Sequence, residues 1–136
     1  MTAPLDEKPE PRACTPEAVL SLRGAAIADG RPDDAAALYE PDAVYYFAPG
    51  GDPLIGRDDI RGALAELAGL HPQLQNDVRR VVIAGDVAFV VTAWRLTGVR
   101  PDGRPVMMAA TSTDVLRRRG DDSWGIAIDD PWGVEP

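Results

Sequence analysis

Two charged residues lie at positions where the surrounding pattern favours apolar side chains. Arg23 falls within an apolar stripe at helical spacing, between Leu20 and Ile27. Asp114 lies in a strand-like run whose neighbours are mostly apolar or small. An unpaired guanidinium in the core would be very costly, so Arg23 either extends its head to the edge or meets a buried anion. If Asp114 faces inward, burial raises its pKa unless a cation lies close, and Arg23 is the natural cation.

A carboxyl and an arginine in apolar surroundings can do acid–base chemistry. Carboxyls in different environments divide the roles of acid and base in reactions such as epoxide opening, dehydration or cyclisation. The same residues can equally form a structural buried pair that ties a helix to a sheet. Metal chemistry is not predicted, because His71 is the only histidine, Cys14 is the only cysteine and no carboxylates have the loop spacing of a magnesium or calcium site. We expect no cofactor.

A set of aromatic residues can line a pocket for an apolar ligand. Tyr45 and Phe47 share one face of a short predicted strand, and Trp94 lies in a longer one. These rings suit a flat or polycyclic molecule, and they equally suit a small core. The direction of Trp94 depends on hairpin register, because a slip of one residue reverses every side chain on the strand. Trp132 either closes the pocket or packs at a dimer contact.

The elements that must position these residues centre on a predicted antiparallel meander over residues 85–130. Three β-branched and aromatic runs are separated by turn signals at residues 101–103 and 120–122. A sheet of this size needs a cover on its apolar face. The upstream half of the chain supplies this cover. Its pattern predicts helices over 15–30, 32–39 and 57–69, and Pro41 ends the second of them. Strands are predicted over 43–47 and 74–84, with a loop over 48–56.

Composition sets further bounds on the protein. The chain of 136 residues reads as one domain over 15–133 after a disordered, proline-rich leader over 1–14. The formal charge of −8 disfavours a nucleic-acid partner, and the arginines at 117–119 are interpreted as a solvated hairpin end. No apolar stretch is long enough to span a membrane and no secretion signal is visible, so we expect a soluble cytoplasmic protein. His71 is interpreted as a helix-end or loop residue.

The run ALYEPDAVYYFAPGGDPLIGRDDIRGAL resembles SnoaL-like and ketosteroid-isomerase-like domains of the nuclear-transport-factor-two superfamily. The later pieces PDGRP, STDVLRR and SW-x-I-x-I-DDP resemble its sheet, especially in small bacterial members of the SgcJ/EcaC type. The resemblance implies an α+β, cystatin-like cone in which a strongly curved antiparallel sheet wraps the N-terminal helices. It further implies a homodimer through the outer sheet face and a largely apolar pocket with a few polar groups.

The same resemblance assigns positions to the isomerase site. The base of that family matches Phe47, its oxyanion-hole tyrosine matches Arg23, and its oxyanion-hole acid matches Asp114. Asp129 matches an interior-facing position, and Asp130 points the other way. The missing base makes ordinary steroid-isomerase chemistry unexpected.

Three functions follow as hypotheses. The first is a cofactor-free acid–base enzyme of secondary metabolism, acting on an apolar molecule such as a polyketide intermediate, in which Asp114 and Asp129 are the acid–base groups and Arg23 orients them or holds an oxyanion. The aromatic set shapes its cavity. The second is a binding protein with the same pocket and no chemistry. The third is a purely structural dimer whose interior is filled.

Overall fold

The protein is described by a computed structural model that covers residues 14–133. The predicted leader falls outside this range except for Cys14, which is exposed. The elements follow in the order α1 (Pro16–Ala28), α2 (Pro32–Ala36), β1 (Tyr39–Tyr45), β2 (Leu54–Ile55), α3 (Arg57–Ala68), β3 (Gln73–Ala84), β4 (Val87–Val99), β5 (Pro105–Arg118) and β6 (Trp124–Asp130).

The first and third helices form where the sequence predicts them. Thr15 caps α1 by accepting a hydrogen bond from the backbone N–H of Ala18 at 3.1 Å, and Pro16 opens its first turn. Helix α3 carries Asp58 and Asp59 in its first turn, where they favour the positive end of the helix dipole. His71 lies in the short segment between α3 and β3 with φ 49°, in agreement with its interpretation as a helix-end or loop residue.

The six strands form one open, curved sheet in the order β2-β1-β6-β5-β4-β3. The meander is confirmed, because β3 to β6 pair antiparallel with their neighbours and turn at the two predicted signals. The expectation of an antiparallel sheet needs one correction, since β1 runs parallel to β6. The short strand β2 was not predicted, and it lies at one edge of the sheet. Helices and sheet together confirm the α+β class.

The prediction that the second helix extends to Tyr39 and ends at Pro41 is wrong. The helix ends at Ala36, and Tyr39 already pairs with Ile126 of β6. Leu38 accepts a hydrogen bond from Ile126 N at 2.9 Å, so the sheet captures this segment before another helical turn forms. Pro41 has no N–H to donate, and it lies where the pairing of β1 with β6 shifts register.

The two faces of the meander differ in burial. On β4, alternate residues such as Ala88, Val90 and Leu96 are buried under the helices. The intervening residues face outward, and Phe89 remains 39% exposed. This alternation settles the direction of Trp94, which belongs to the inward-facing set of β4.

No helix within residues 14–133 is long and apolar enough to cross a membrane.

The interpretation of the arginine run as a solvated hairpin end is wrong for two of its three residues. Arg119 binds Glu40 through Nε at 2.9 Å and donates to the carbonyl oxygens of Ala37 and Tyr39. Arg118 stacks on the ring of Trp124, with 4.5 Å between guanidinium carbon and ring centroid. Arg119 thus ties the hairpin end to the start of β1, and Arg118 packs on β6.

Candidate ligand cavity and its charged floor

A cavity of about 770 Å³ lies between the helices and the inner face of the sheet. This volume falls within the range of small-molecule sites, about 300–1,000 Å³. Most of its lining is apolar, and its side chains come from α1, α3, the strands and the segment after β6. The apolar lining includes Ile27, Phe47, Leu64, Leu67, Leu74, Trp94, Leu96, Val106, Met108 and Trp132.

The aromatic residues form two contacts in the cavity wall. Tyr45 and Phe47 pack edge to face with ring centroids 5.9 Å apart, and Trp94 and Trp132 do so at 5.4 Å. Trp94 Nε1 donates to the carbonyl oxygen of Pro131 at 2.7 Å, and Trp132 Nε1 donates to that of Phe47 at 3.2 Å. These bonds hold the segment after β6 as one side of the cavity, so both tryptophans can report on its contents.

A buried charged network lies at the inner end of the cavity. Arg23 on α1 donates through one nitrogen, Nη1, to Asp129 on β6 and, at 3.1 Å, to the hydroxyl of Tyr39 on β1. The Tyr39 hydroxyl in turn donates to Asp129 at 2.5 Å. The side chain of Asp129 is fully buried and that of Arg23 is 18% exposed. Arg23 therefore meets a buried carboxylate, and that carboxylate is Asp129.

The electrostatics of the network keep Arg23 charged and Tyr39 neutral. Burial alone would lower the pKa of Arg23, but the negative charge of Asp129 raises this pKa well above its ordinary value. Burial raises the pKa of Tyr39 well above its usual range, against the opposing effect of Arg23. Burial also raises the pKa of Tyr45, whose ring lines the cavity.

Asp114 lies directly opposite Asp129 in the β5–β6 register and is also fully buried. Burial raises the pKa of Asp114 well above its usual range, and the charge of Asp129 and a hydrogen bond with its carboxyl group add to this effect. Two adjacent carboxyl groups with one nearby cation favour a state that holds one proton between them. We therefore describe Asp114 as the neutral partner and Asp129 as the partner paired with Arg23.

Four buried polar atoms of this region lack a hydrogen-bond partner among the described residues. They are Arg23 Nε, Asp114 Oδ1, Asp129 Oδ1 and Thr92 Oγ1. A proton between Asp114 Oδ1 and Asp129 Oδ1 would give each of these oxygens a hydrogen-bond partner, in agreement with the raised pKa of Asp114. Buried groups that remain without partners usually mark a functional or strained site.

The residues named from the sequence separate into two layers. Arg23, Tyr45, Phe47 and Trp94 line the cavity itself. Asp114 and Asp129 face inward but lie behind this lining, with no exposed surface. The carboxyl groups are thus in contact with the charged network rather than with the cavity.

Two residues of the site were missed by sequence reasoning. Tyr39 escaped notice because its segment was assigned to a helix, and only its pairing with β6 brings it to Asp129. Ser112 lines the cavity, and its Oγ lies 3.3 Å from Asp114 Oδ2. A signal for Ser112 was available, since residues two apart share one face of a strand.

Known proteins resemble this chain in sequence pattern and in fold. The sequence model of the SnoaL-like domain family matches residues 22–124. No curated protein matches the chain by sequence. A ketosteroid isomerase-like protein from Erwinia carotovora atroseptica is 22% identical, with a TM-score of 0.75 over 88% of this chain and 94% of that one. A nuclear transport factor 2-like superfamily protein from Salmonella enterica is 17% identical, with a TM-score of 0.75 over 87% of each chain.

A third solved structure contains a ligand. It is a protein from Catenulispora acidiphila in complex with S-DNPA, 22% identical, with a TM-score of 0.66 over 83% of this chain and 86% of that one. At these identities the likeness concerns the fold.

Proposed function

The chain belongs to the family of SnoaL-like domains, and on this premise we propose that it binds a small, mainly apolar organic molecule and acts on it as a cofactor-free acid–base enzyme. The reaction class is that of an isomerase, cyclase, dehydratase or epoxide hydrolase. The observation that carries the proposal is a mainly apolar cavity of about 770 Å³ whose lining at the inner end includes the buried guanidinium of Arg23. A few placed polar groups in an apolar lining are typical of small-molecule sites.

Each residue of the site has a role in this proposal. Arg23 orients the ligand and stabilises negative charge that develops on one of its oxygen atoms, an effect that is strong away from water. Asp129 and Tyr39 hold the guanidinium in place. Asp114 and Asp129 form the acid–base pair, since they share surroundings in which one proton is retained. The rings of Tyr45, Phe47 and Trp94 select a flat apolar ligand.

Binding without chemistry is the second candidate function, and one observation favours it. Neither carboxyl group lines the cavity, and the family resemblance places Phe47 where ketosteroid isomerases have their base. The Catenulispora acidiphila structure with S-DNPA supports ligand binding on this scaffold without naming a reaction.

Binding is tested with a matched pair of flat tricyclic probes, fluorene and 9-fluorenone, which differ by one carbonyl oxygen. Quenching of tryptophan fluorescence and a raised melting temperature report on binding. We expect fluorenone to bind about tenfold more tightly than fluorene, because a hydrogen bond to a charged group contributes about 1.5–3 kcal/mol. Arg23→Met should abolish this advantage and leave fluorene binding unchanged. Failure of both probes to bind in the wild type would contradict the cavity's role.

Catalysis is tested separately, by incubating the protein with an organic extract rich in polyketides and analysing the compounds by mass spectrometry. An enzyme changes the mass or retention of a bound compound, and Asp114→Asn should slow that change by about 10²-fold or more, the usual contribution of a general acid or base. Compounds that are retained but emerge unaltered favour the binding protein.

We further propose that two copies associate through the outer face of the sheet. Several apolar side chains on this face remain substantially exposed, among them Val87 at 47%, Phe89 at 39% and Ile128 at 42%. Contiguous exposed apolar surface is typical of interaction sites. Light scattering should therefore give twice the chain mass for the wild type and a single mass for Phe89→Glu. A wild type that remains monomeric at high concentration would contradict this proposal.

A further inference from the structure

We propose that Ser112 is a proton-relay residue that connects the cavity to the Asp114–Asp129 carboxyl pair. This inference rests on the proposed function and gives the buried pair its route to a ligand. Both carboxyl groups are fully buried and lie behind the cavity lining, so a proton needs an intermediate group to reach them. Ser112 meets this need, because it lines the cavity and contacts Asp114.

The contacts of the Ser112 hydroxyl carry the argument. Its Oγ lies 3.3 Å from the carbonyl oxygen of Thr92 and 3.3 Å from Asp114 Oδ2. A hydroxyl has one hydrogen, so it donates to one of these acceptors at a time. When it donates to Thr92, Asp114 can donate its own proton from Oδ2 to Ser112. When it donates to Asp114, the proton of Asp114 lies on Oδ1.

The second arrangement matches the atoms that otherwise lack partners. Asp114 Oδ1 and Asp129 Oδ1 are both buried without a partner among the described residues, and the two residues pair directly across β5 and β6. A proton on Asp114 Oδ1 is then shared with Asp129. The hydrogen bonds form one chain, from the cavity through Ser112 and Asp114 to Asp129.

The transfer is balanced in atoms and charge. The ligand's bond to hydrogen breaks and a new O–H bond forms on Ser112, whose original hydrogen passes to Asp114 Oδ2. The proton of Asp114 passes from Oδ1 to Asp129 Oδ1. The ligand has then lost one proton and Asp129 has gained one, while Ser112 and Asp114 end neutral. The negative charge moves from Asp129 to the ligand and stays beside Arg23, so the guanidinium is paired throughout. The reverse sequence returns the proton.

The charged and titratable groups that face this chain of hydrogen bonds come from three other elements of the fold. Arg23 approaches from α1, Tyr39 and Tyr45 from β1, and Asp129 from β6. Arg23 is the only cation among the groups that shift the pKa of Asp114. Its position lets one positive charge compensate whichever of the carboxyl pair or the ligand is ionised.

The relay is tested by hydrogen–deuterium exchange of the buried carboxyl proton, followed by real-time infrared spectroscopy. The carboxylic C=O band is assigned to Asp114 by its loss in Asp114→Asn. On transfer to D₂O, we expect Ser112→Ala to slow the deuterium shift of this band by about tenfold or more, which corresponds to a barrier about 1.4 kcal/mol higher. Ser112→Thr keeps a hydroxyl and should exchange at close to the wild-type rate.

Two further comparisons separate the relay from a structural role. Bound 9-fluorenone should slow deuterium exchange of the Asp114 carboxyl proton in the wild type, because it excludes water from Ser112. In Ser112→Ala it should slow this exchange little further. If alanine unfolds the protein, Ser112→Cys makes the same comparison with a weak donor. Equal rates in the wild type and the alanine variant, or equal slowing in the alanine and threonine variants, would overturn the relay. Failure of fluorenone to bind bears on the proposed function alone, because the comparison of the serine variants needs no ligand.

Discussion

Two arginine–carboxylate pairs link the first third of this chain to the region of its last strand, and they use their hydrogen-bonding capacity differently. Arg119 and Glu40 lie at the end of the sheet, where the guanidinium also donates to two backbone carbonyls. Arg23 and Asp129 lie at the inner end of the cavity, where Arg23 Nε and Asp129 Oδ1 have no partner among the described residues. Within residues 14–133, no buried side-chain polar atom of the first pair lacks a partner, whereas the second pair retains capacity for a ligand or a proton.

The close packing around the Arg119–Glu40 pair supports this contrast. A Cβ atom on Gly125 would overlap Glu40 Oε2 and the guanidinium of Arg119, so a side chain there would displace the pair. The pair therefore packs against bare backbone, as a structural anchor does. The Arg23–Asp129 pair instead lies next to the cavity, with 18% of the arginine side chain exposed. This unused hydrogen-bonding capacity beside an open space supports the proposed functional role of the inner pair.

The largest expected effect comes from breaking the inner pair. Asp129→Asn leaves the Arg23 charge without its counter-charge, and we expect it to lower the free energy of unfolding by about 3–5 kcal/mol. Urea denaturation measures this loss. Asp86→Asn, which removes an exposed carboxylate near Arg118, is the matched control and should change little. A small effect of Asp129→Asn would mean that the network does not depend on this carboxylate.

The outer pair should matter for stability alone. Glu40→Gln removes the charge that Arg119 binds, and we expect a loss of about 1.5–3 kcal/mol, the range for a hydrogen bond to a charged group. The affinity for 9-fluorenone should stay at the wild-type value. The comparison between the two pairs would fail if Glu40→Gln weakened fluorenone binding as much as Arg23→Met.

The neutral carboxyl of the inner network should appear in the pH dependence of stability. The pKa of Asp114 is raised in the folded protein, whereas in the unfolded chain an aspartate has a pKa of about 4. Above that pH the folded state binds the extra proton, so wild-type stability should fall as pH rises, by up to about 1.4 kcal/mol per pH unit for one proton. Urea titrations between pH 5 and pH 8 should show a flatter profile for Asp114→Asn. Parallel profiles would show that Asp114 is ionised in the fold.

The smallest effect concerns the two tyrosines of β1. Tyr39→Phe removes a hydroxyl that accepts from Arg23 and donates to Asp129, and we expect a loss of about 0.5–1.5 kcal/mol. Tyr45→Phe is the matched control, because the Tyr45 hydroxyl makes no hydrogen bond among the described residues and its removal should cost little. Both are measured by urea denaturation. Equal losses would mean that the Tyr39 hydroxyl contributes only through packing.

Local patterns in the sequence determined much of the fold. Thr15 and Pro16 mark the start of α1 because capping and proline geometry act within one helical turn. The turn signals at residues 101–103 and 120–122 separate the strands of the meander because glycine and aspartate favour turn conformations locally. The inward position of Arg23 also follows from helical spacing alone.

The tertiary structure decided which groups meet at the site. Tyr39 reaches Asp129 because β1 pairs with β6 in parallel, across some 90 residues of chain, and no local pattern encodes that pairing. Asp114 faces Asp129 because of the β5–β6 register, and that register shifts at a bulge between Val115 and Leu116. The sequence by itself determined the inward position of Arg23, since that depends on the period of one helix, whereas the directions of Trp94 and Asp114 depended on strand register. Their partners depend on long-range pairing and packing, which exist only in the folded protein.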